Sequence, residues 1–279
     1  MRTVRASVIV TTYNNPRYLE MVLAGYARQT CMDFEVVVAD DGSGEPTRRL
    51  IDQVRAAGYP LPLVHAWQPD EGFRQSRSMS WGVLHSQGDQ LLFTDGDCVP
   101  PANMVAAHLE VAAPNTLVVG GHIRLTEAAT DGLDVNAIRE GAHEALITAA
   151  DRRRMWRWHL KNLFYIATGA KRRPKIYGLN MSVDRAGLLD VNGLDLNYDN
   201  NARQDSDLRN RMRLSGSRAR CIWHRAIGVH LWHPEHKGRN EWSGADAYYH
   251  RKDLQPWAEH GLRELAAESG RSLPARNDG

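Results

Sequence analysis

The chain has 279 residues, 42% hydrophobic and 24% charged, a globular balance that excludes disordered and fibrous architectures. A formal net charge of +2 names no class of partner, and no run of eighteen apolar residues offers a membrane span. Three scattered cysteines, Cys31, Cys98 and Cys221, make no disulfide framework or zinc site, so the expectation is a reducing compartment and a cytoplasmic protein, soluble or peripheral on the inner membrane.

Residues 6–10 (ASVIV) read as a buried strand, after which Leu19, Val22, Leu23 and Tyr26 recur at helical spacing. Residues 34–39 (FEVVVA) give a second buried strand, followed by DDGSG turn chemistry and a helix over 46–57. Further strands are expected at 63–67, 90–94 and 116–120, with helices at 75–85 and 102–112. Strands apolar throughout have both faces covered, which predicts a parallel α/β sheet flanked by helices. Ligands then bind beyond the carboxyl ends of the strands. From 131 to 170 the chain reads helical and turns basic. Nine Lys or Arg fall between Arg152 and Lys175, interleaved with Trp156, Trp158, Phe164 and Tyr165. A strand pattern resumes over 177–183. A helix over 205–215, a strand over 220–224, a His-rich stretch over 229–236 and a helical tail after Trp242 complete the reading.

Four constellations carry chemistry. Asp95-Gly96-Asp97 ends an apolar strand, and two carboxylates this close repel unless a cation or donor lies between them. A divalent ion bridging carboxylate and diphosphate is one solution, and a polar β-turn is the plain alternative. Asp40-Asp41-Gly42-Ser43 also follows a strand, suited either to hydrogen bonds from a base or ribose, or to an Asx-turn capping the next helix. His230 and His233, three residues apart, can share one metal if a turn or helix points both to one side, or they are structural. Gln204-Asp205-Ser206-Asp207 opens an amphipathic helix, where acids complement the helix dipole or supply a general base. The basic, aromatic segment 152–175 suits an interfacial helix on an anionic membrane. No nucleic-acid-binding signature is present.

Taken together, SVIVTTYNN, VVVADDGS, EGFRQSRSMSWGVLHSQGD and LLFTDGDCVPP resemble the successive motifs of family 2 glycosyltransferases of the GT-A fold. The stretch from IYGLNMSVDRAGLLDVNGLD through QDSDLRNRMRLSG to HLWHPEH resembles the galactosyltransferase-type domain of β-1,4-galactosyltransferases and bacterial chondroitin-polymerase-like enzymes. The resemblance implies a Rossmann-like, mostly parallel sheet flanked by helices, with a mixed α+β C-terminal portion on the acceptor side. It divides the chain into a nucleotide-sugar half (1–125), a helical basic insertion (126–176), an acceptor and metal half (177–240) and a helical tail (241–279).

The resemblance also implies roles. Thr11 and Tyr13 flank the nucleotide base, Asp41 or Asp40 bonds the uracil imide, Arg74 contacts the donor nucleotide, and Asp95 sits near the ribose. Asp97 coordinates the metal, Mn²⁺ or Mg²⁺, with His233 and His230. Asp205 is the catalytic base and Asp207 supports it or the acceptor. Where relatives carry W-G-G-E-D, this chain reads Asn201-Ala202-Arg203-Gln204-Asp205, so Arg203 and Gln204 are acceptor-side candidates, Arg203 for an anionic acceptor. The implied function is inverting, metal-dependent transfer of a hexose or N-acetylhexosamine from a UDP-sugar to a glycan or lipid-linked saccharide, in bacterial surface-polysaccharide synthesis. A dTDP-sugar donor, a nucleotidyltransferase and a non-catalytic sugar-nucleotide-binding module are the alternatives.

Overall fold

The computed structural model describes residues 4–198, 203–234 and 245–273. Strand and helix alternate at first: β1 (Ala6–Thr12), α1 (Pro16–Ala27), β2 (Phe34–Asp40), α2 (Glu45–Ala56), β3 (Leu63–Trp67), α3 (Gln75–Leu84) and β4 (Gln90–Asp95). β1, β2 and β4 are buried along nearly their whole length, because helices cover both sheet faces. α1 opens on Asn15, whose side chain accepts from the Tyr18 amide, with Pro16 in its first turn. Its Leu19, Val22, Leu23 and Tyr26 enter the core. α3 instead buries Ser76, Ser78, Ser80 and Gly82. These small residues let it lie close to the sheet, where a Cβ on Gly82 would come within 2.6 Å of Ile9.

The chain continues through β5 (Cys98–Val99), α4 (Met104–Val111), β6 (Thr116–Val119), β7 (Gly121–Arg124), the short α5 (Glu127–Asp131), α6 (Val135–Glu140) and α7 (Ala142–Ala145), and the long α8 (Ala149–Ala167). Thr148 and Asp151 form a capping box at the start of α8. This helix buries Met155, His159 and Asn162 and packs against β7 and β9 (Arg218–Cys221). Before β9 come β8 (Met181–Asp184), α9 (Arg185–Asp190) and α10 (Gln204–Leu214), and after it β10 (Ile227–His230), α11 (Ala245–Tyr249) and α12 (Leu262–Glu268).

Among the described residues, seven strands form one sheet in the order β3-β2-β1-β4-β8-β6-β9. Register sets Thr11 level with Ala39 on one side and Asp95 on the other, so the acid-tipped ends of β2 and β4 flank β1. β1 leads outward to β2 and β3 before the chain returns to β4 on its other side, a reversal that opens a crevice at the strand ends. Beyond β4 the sheet is mixed, since β8 runs antiparallel to both β4 and β6. The fold is thus the expected mostly parallel α/β sheet, with β8 and β9 of the C-terminal half completing it.

A second sheet, β5-β10-β7, lies outside the sequence expectations. β10 runs antiparallel to β5, with His230 opposite Cys98, and parallel to β7. The expected helical tail is also shorter than the sequence suggested, because turns separate α11 from α12. Among the described residues no helix is long and apolar enough to cross a membrane.

Candidate active site

A cleft of about 450 Å³ opens at the carboxyl ends of β1, β2 and β4 and is closed by the start of α10 and the end of β10. Two glycines make its floor possible. The Gly96 amide donates to the Thr11 carbonyl at 2.7 Å, and a Cβ there would meet the same oxygen at 2.7 Å. Gly42 has φ +94°, and a Cβ on it would strike the Asp70 backbone at 2.5 Å.

At the β2 end the two adjacent acids part ways. Asp40 accepts from the Ser43 amide at 2.8 Å and meets His65 Nε2 at 2.8 Å, so it builds the turn and does not line the cleft. Asp41 lines the cleft while accepting from the Gln68 amide side chain and the Arg74 backbone N–H. Burial pushes its carboxyl above the usual range, although both hydrogen bonds oppose that. The Arg74 guanidinium turns away, donating to Glu71 and to the Pro69 carbonyl. Tyr13 lines the cleft, 44% exposed, with its hydroxyl donating to Asp70 at 2.9 Å.

Next to it, Asp95 accepts from Thr11 Oγ1 and from Gln75 Nε2, each at 3.0 Å. Burial first, and the Asp97 charge second, push Asp95 up to about 7. Two residues on, Asp97 faces both histidines. Its carboxylate oxygens lie 3.6 Å from His230 Nε2 and 3.3 Å from His233 Nε2. This pairing comes from the second sheet, where β10 lies against β5 and the Leu231 amide donates to the Asp97 carbonyl at 2.8 Å. His230 therefore ends a strand, not the turn or helix the spacing suggested.

The rings are oriented from behind. Nδ1 of His230 lies 2.7 Å from the Leu231 carbonyl, and Nδ1 of His233 lies 3.0 Å from the Pro234 carbonyl. A carbonyl only accepts, so Nδ1 of each ring carries a proton, and in the neutral ring Nε2 then turns its lone pair toward Asp97. Burial is the largest influence on His230 and holds it below its ordinary value, favouring the neutral ring. Asp97 Oδ1 is buried without a hydrogen-bond partner. Two imidazole lone pairs and an orphaned carboxylate oxygen pointing at one another suit a shared cation, since all three side chains offer ligand atoms within 4.8 Å. The residues fit a divalent ion.

Across the cleft, Asp205 sits in the first turn of α10. Oδ2 accepts from the Gly178 amide at 3.2 Å and Oδ1 from the Ser206 amide. Burial raises its carboxyl above the usual range. Gln204 lines the cleft beside it and donates to Gln75 Oε1 at 2.8 Å. Thr11, Asp95, Gln75 and Gln204 thus form one hydrogen-bonded row from β1 to α10.

The structure does not bring Asp207 or Arg203 to the cleft. Asp207, 1% exposed, accepts from Tyr198, Arg211 and Arg251. The Arg203 guanidinium stacks 5.0 Å from the Tyr249 ring centroid. Asn201 and Ala202 lie outside the described residues. Sequence reasoning missed Gln75, Arg124 and Tyr177, all in the cleft lining. Gln75 lay inside a quoted motif, at the helix start where a side chain meets strand ends. Arg124 had no signal before its β7–β10 pairing with His230 was visible.

Residues 7–174 match the sequence profile described as "Glycosyl transferase family 2". The chain is 37% identical over 120 residues to validoxylamine A glucosyltransferase of Streptomyces hygroscopicus subsp. jinggangensis, a match covering 41% of this chain and 28% of that protein. The aligned stretch thus spans about a quarter of the length of such relatives. Among solved structures, the mannosyltransferase PcManGT of Pyrobaculum calidifontis, in complex with GDP-Man and Mn²⁺, superposes with a TM-score of 0.56 at 19% identity, covering 97% of this chain and 65% of that one. S. aureus TarS 1-349 in complex with UDP-GlcNAc gives 0.56 at 16% identity, covering 84% and 60%. With its profile match spanning more than half of its length, the chain belongs to glycosyl transferase family 2 and takes the GT-A fold.

Proposed function

We propose that the chain is an inverting, metal-dependent glycosyltransferase that moves a hexose or N-acetylhexosamine from a UDP-sugar to a glycan or lipid-linked saccharide, in bacterial surface-polysaccharide synthesis. One observation carries this reading: a single cleft holds Asp41, the Asp97–His230–His233 cluster and Asp205. Family membership supports the class of reaction, and fold neighbours with UDP-GlcNAc or GDP-Man bound are consistent with a sugar-nucleotide donor. The donor half is 1–125 and the acceptor and metal half is 177–240, with 126–176 inserted between them and 241–279 as a tail.

At the donor end, Thr11 and Tyr13 flank the base while Asp41, still with unused lone pairs, accepts its imide N–H. Gln75 and Thr11 hold the Asp95 carboxylate toward the ribose. Asp97, His230 and His233 would hold a divalent ion, and mixed imidazole and carboxylate donors favour Mn²⁺ over Mg²⁺. Once bound, the ion would neutralise the charge that grows on the departing diphosphate. Arg124, at the end of β7, adds a fixed positive charge at this pole.

At the acceptor end, Asp205 takes the proton from the attacking hydroxyl. The amides of Gly178 and Ser206 hold the carboxylate in place, and burial makes it a stronger base than an exposed aspartate. Attack opposite the leaving group, through an oxocarbenium-like transition state, inverts the anomeric centre. Gln204 sits where the acceptor sugar meets Asp205. The basic segment 152–175 faces an anionic membrane on which a lipid-linked acceptor resides.

The test is a nucleotide-release assay over UDP-, dTDP- and GDP-sugars, with Mn²⁺, with Mg²⁺ and with chelator, followed by NMR of the product anomer. UDP release that needs the ion and gives an inverted product is expected. Release unaffected by chelator, or a retained anomer, sinks the reading.

A further inference from the structure

A second cavity, of about 400 Å³, lies apart from the cleft, between the last turns of α8, the turn after it, α10 and β9. Arg173, Arg209, Arg213, Arg218 and Arg220 line it, and no Asp or Glu does among the described residues. Two of the five are locked from behind. Arg209, only 5% exposed, donates to the Pro174 carbonyl and the Tyr249 hydroxyl, each at 3.0 Å. Arg213 donates to the Gly169 and Ala170 carbonyls. Arg218 and Arg220 project from β9, the last strand of the sheet, and are exposed. Positive charge gathered around a hollow without acids repels itself, and burial disfavours the charged form of Arg209. A phosphate is the group whose oxygens match guanidinium forks in pairs.

The neighbouring helix shows that such a phosphate belongs to an amphiphile. Tyr165 and Ile166 of α8 form part of the cavity wall. On the same helix Trp156, Leu160, Leu163 and Phe164 stand exposed, Phe164 to 64%. Their spacing sets them within about 100° of the helix circumference, distinct from the face formed by Met155, His159 and Asn162. Arg152, Arg153, Arg157 and Lys161 are exposed around them. A soluble phosphate has no use for that stripe, whereas an anionic bilayer that takes it up brings phosphates to the end of α8, where the stripe's Phe164 ring lies 6.1 Å from that of Tyr165 in the cavity wall.

We infer that the arginine-lined cavity receives the phosphate headgroup of an anionic lipid while the stripe from Trp156 to Phe164 rests in the bilayer interface. This deepens the membrane-facing part of the reading above and is independent of the donor cleft.

Flotation of the full chain with phosphatidylcholine vesicles, carrying phosphatidic acid or phosphatidylglycerol at matched surface charge, tests it. Both anionic vesicles should bind the protein, phosphatidic acid more tightly because its phosphomonoester is less encumbered. The double variant R218A/R220A should lose about tenfold or more of its affinity for phosphatidic acid, two surface arginines' worth, and with it the preference. A parallel L160S/F164S variant should float with neither. Circular dichroism, unchanged in both variants, confirms that they fold. Equal binding of both anionic vesicles by the wild type, or an unaltered preference in R218A/R220A, overturns the proposal. So does calorimetry showing that glycerol 3-phosphate in solution binds as tightly as the vesicles. Selective flotation without any nucleotide release would instead defeat the donor-cleft reading and leave this one standing.

Discussion

The two acidic pairs that frame the cleft, Asp40–Asp41 at the end of β2 and Asp205–Asp207 at the start of α10, follow the same rule from different backbones. In each pair one carboxylate lines the cleft and the other is locked into the scaffold. Neighbouring residues of an extended chain point to opposite sides, and residues two apart on a helix are turned by about 200°. A run of acids in sequence is therefore not a cluster of acids in a site. The scaffold partner fixes the backbone from which the other reaches into the cleft: Asp40 holds the Ser43 amide, and Asp207 anchors Arg211 and Arg251.

The largest expected effect separates the two members of the α10 pair. Asp205→Asn should lower kcat by about 10²–10⁴-fold, the range for a lost general base, while donor affinity measured by calorimetry is preserved. Asp207→Ala should instead cost about 3–5 kcal/mol of stability, because it leaves Arg211, 0% exposed, as an uncompensated buried charge. Urea denaturation reads this directly. A stable Asp207→Ala protein with a raised acceptor KM would return Asp207 to the acceptor site.

A smaller effect distinguishes the scaffold histidines from those in the cleft. His108 is buried, with its ring nitrogens 2.8 Å from Ser182 Oγ and 2.8 Å from Asn180 Oδ1, and burial pushes it down to about 4. A histidine depressed in the folded state is neutral there, so the unfolded chain takes up the proton first. Its contribution is full above the unfolded value of about 6.5 and declines as the pH falls from there toward 4. At pH 5 the loss is on the order of 2 kcal/mol. Thermal melts from pH 7 to pH 5 should show it, and His108→Gln should flatten the dependence. The smallest effect is at Arg203. Arg203→Ala should cost about 0.5–1 kcal/mol from the lost stacking on Tyr249 and leave acceptor KM within twofold. A larger rise in KM would give Arg203 the acceptor role that the sequence suggested.

Much of the fold from β1 to β4 was legible because β1, β2 and β4 are long, carry continuous apolar runs and are followed by turn residues. The D-G-D tip and the DDGSG turn then fall on one sheet edge by topology alone. The second sheet was not legible. β5 has two residues and β7 and β10 have four each, too short for any periodicity to register. β8 gave a strand signal but no direction, since four residues cannot distinguish parallel from antiparallel pairing. Asp40 and Asp41 look alike in sequence, and only His65 on β3 and Gln68 just beyond it decide which turns inward. The roles of Gln75 and Gln204 depend on a contact between α3 and α10 that no local pattern encodes.

The short ladder of β5 against β10 has a consequence for how the molecule assembles the corner of Asp97, His230 and His233. Asp97 and His230 become neighbours only when a loop of nearly half the chain has closed, and the cost of that closure rises only slowly with loop length. No fragment ending before β10 contains the corner. The corner therefore arrives with the finished tertiary structure, and loosening one two-residue clasp would take it apart while the large sheet stays intact.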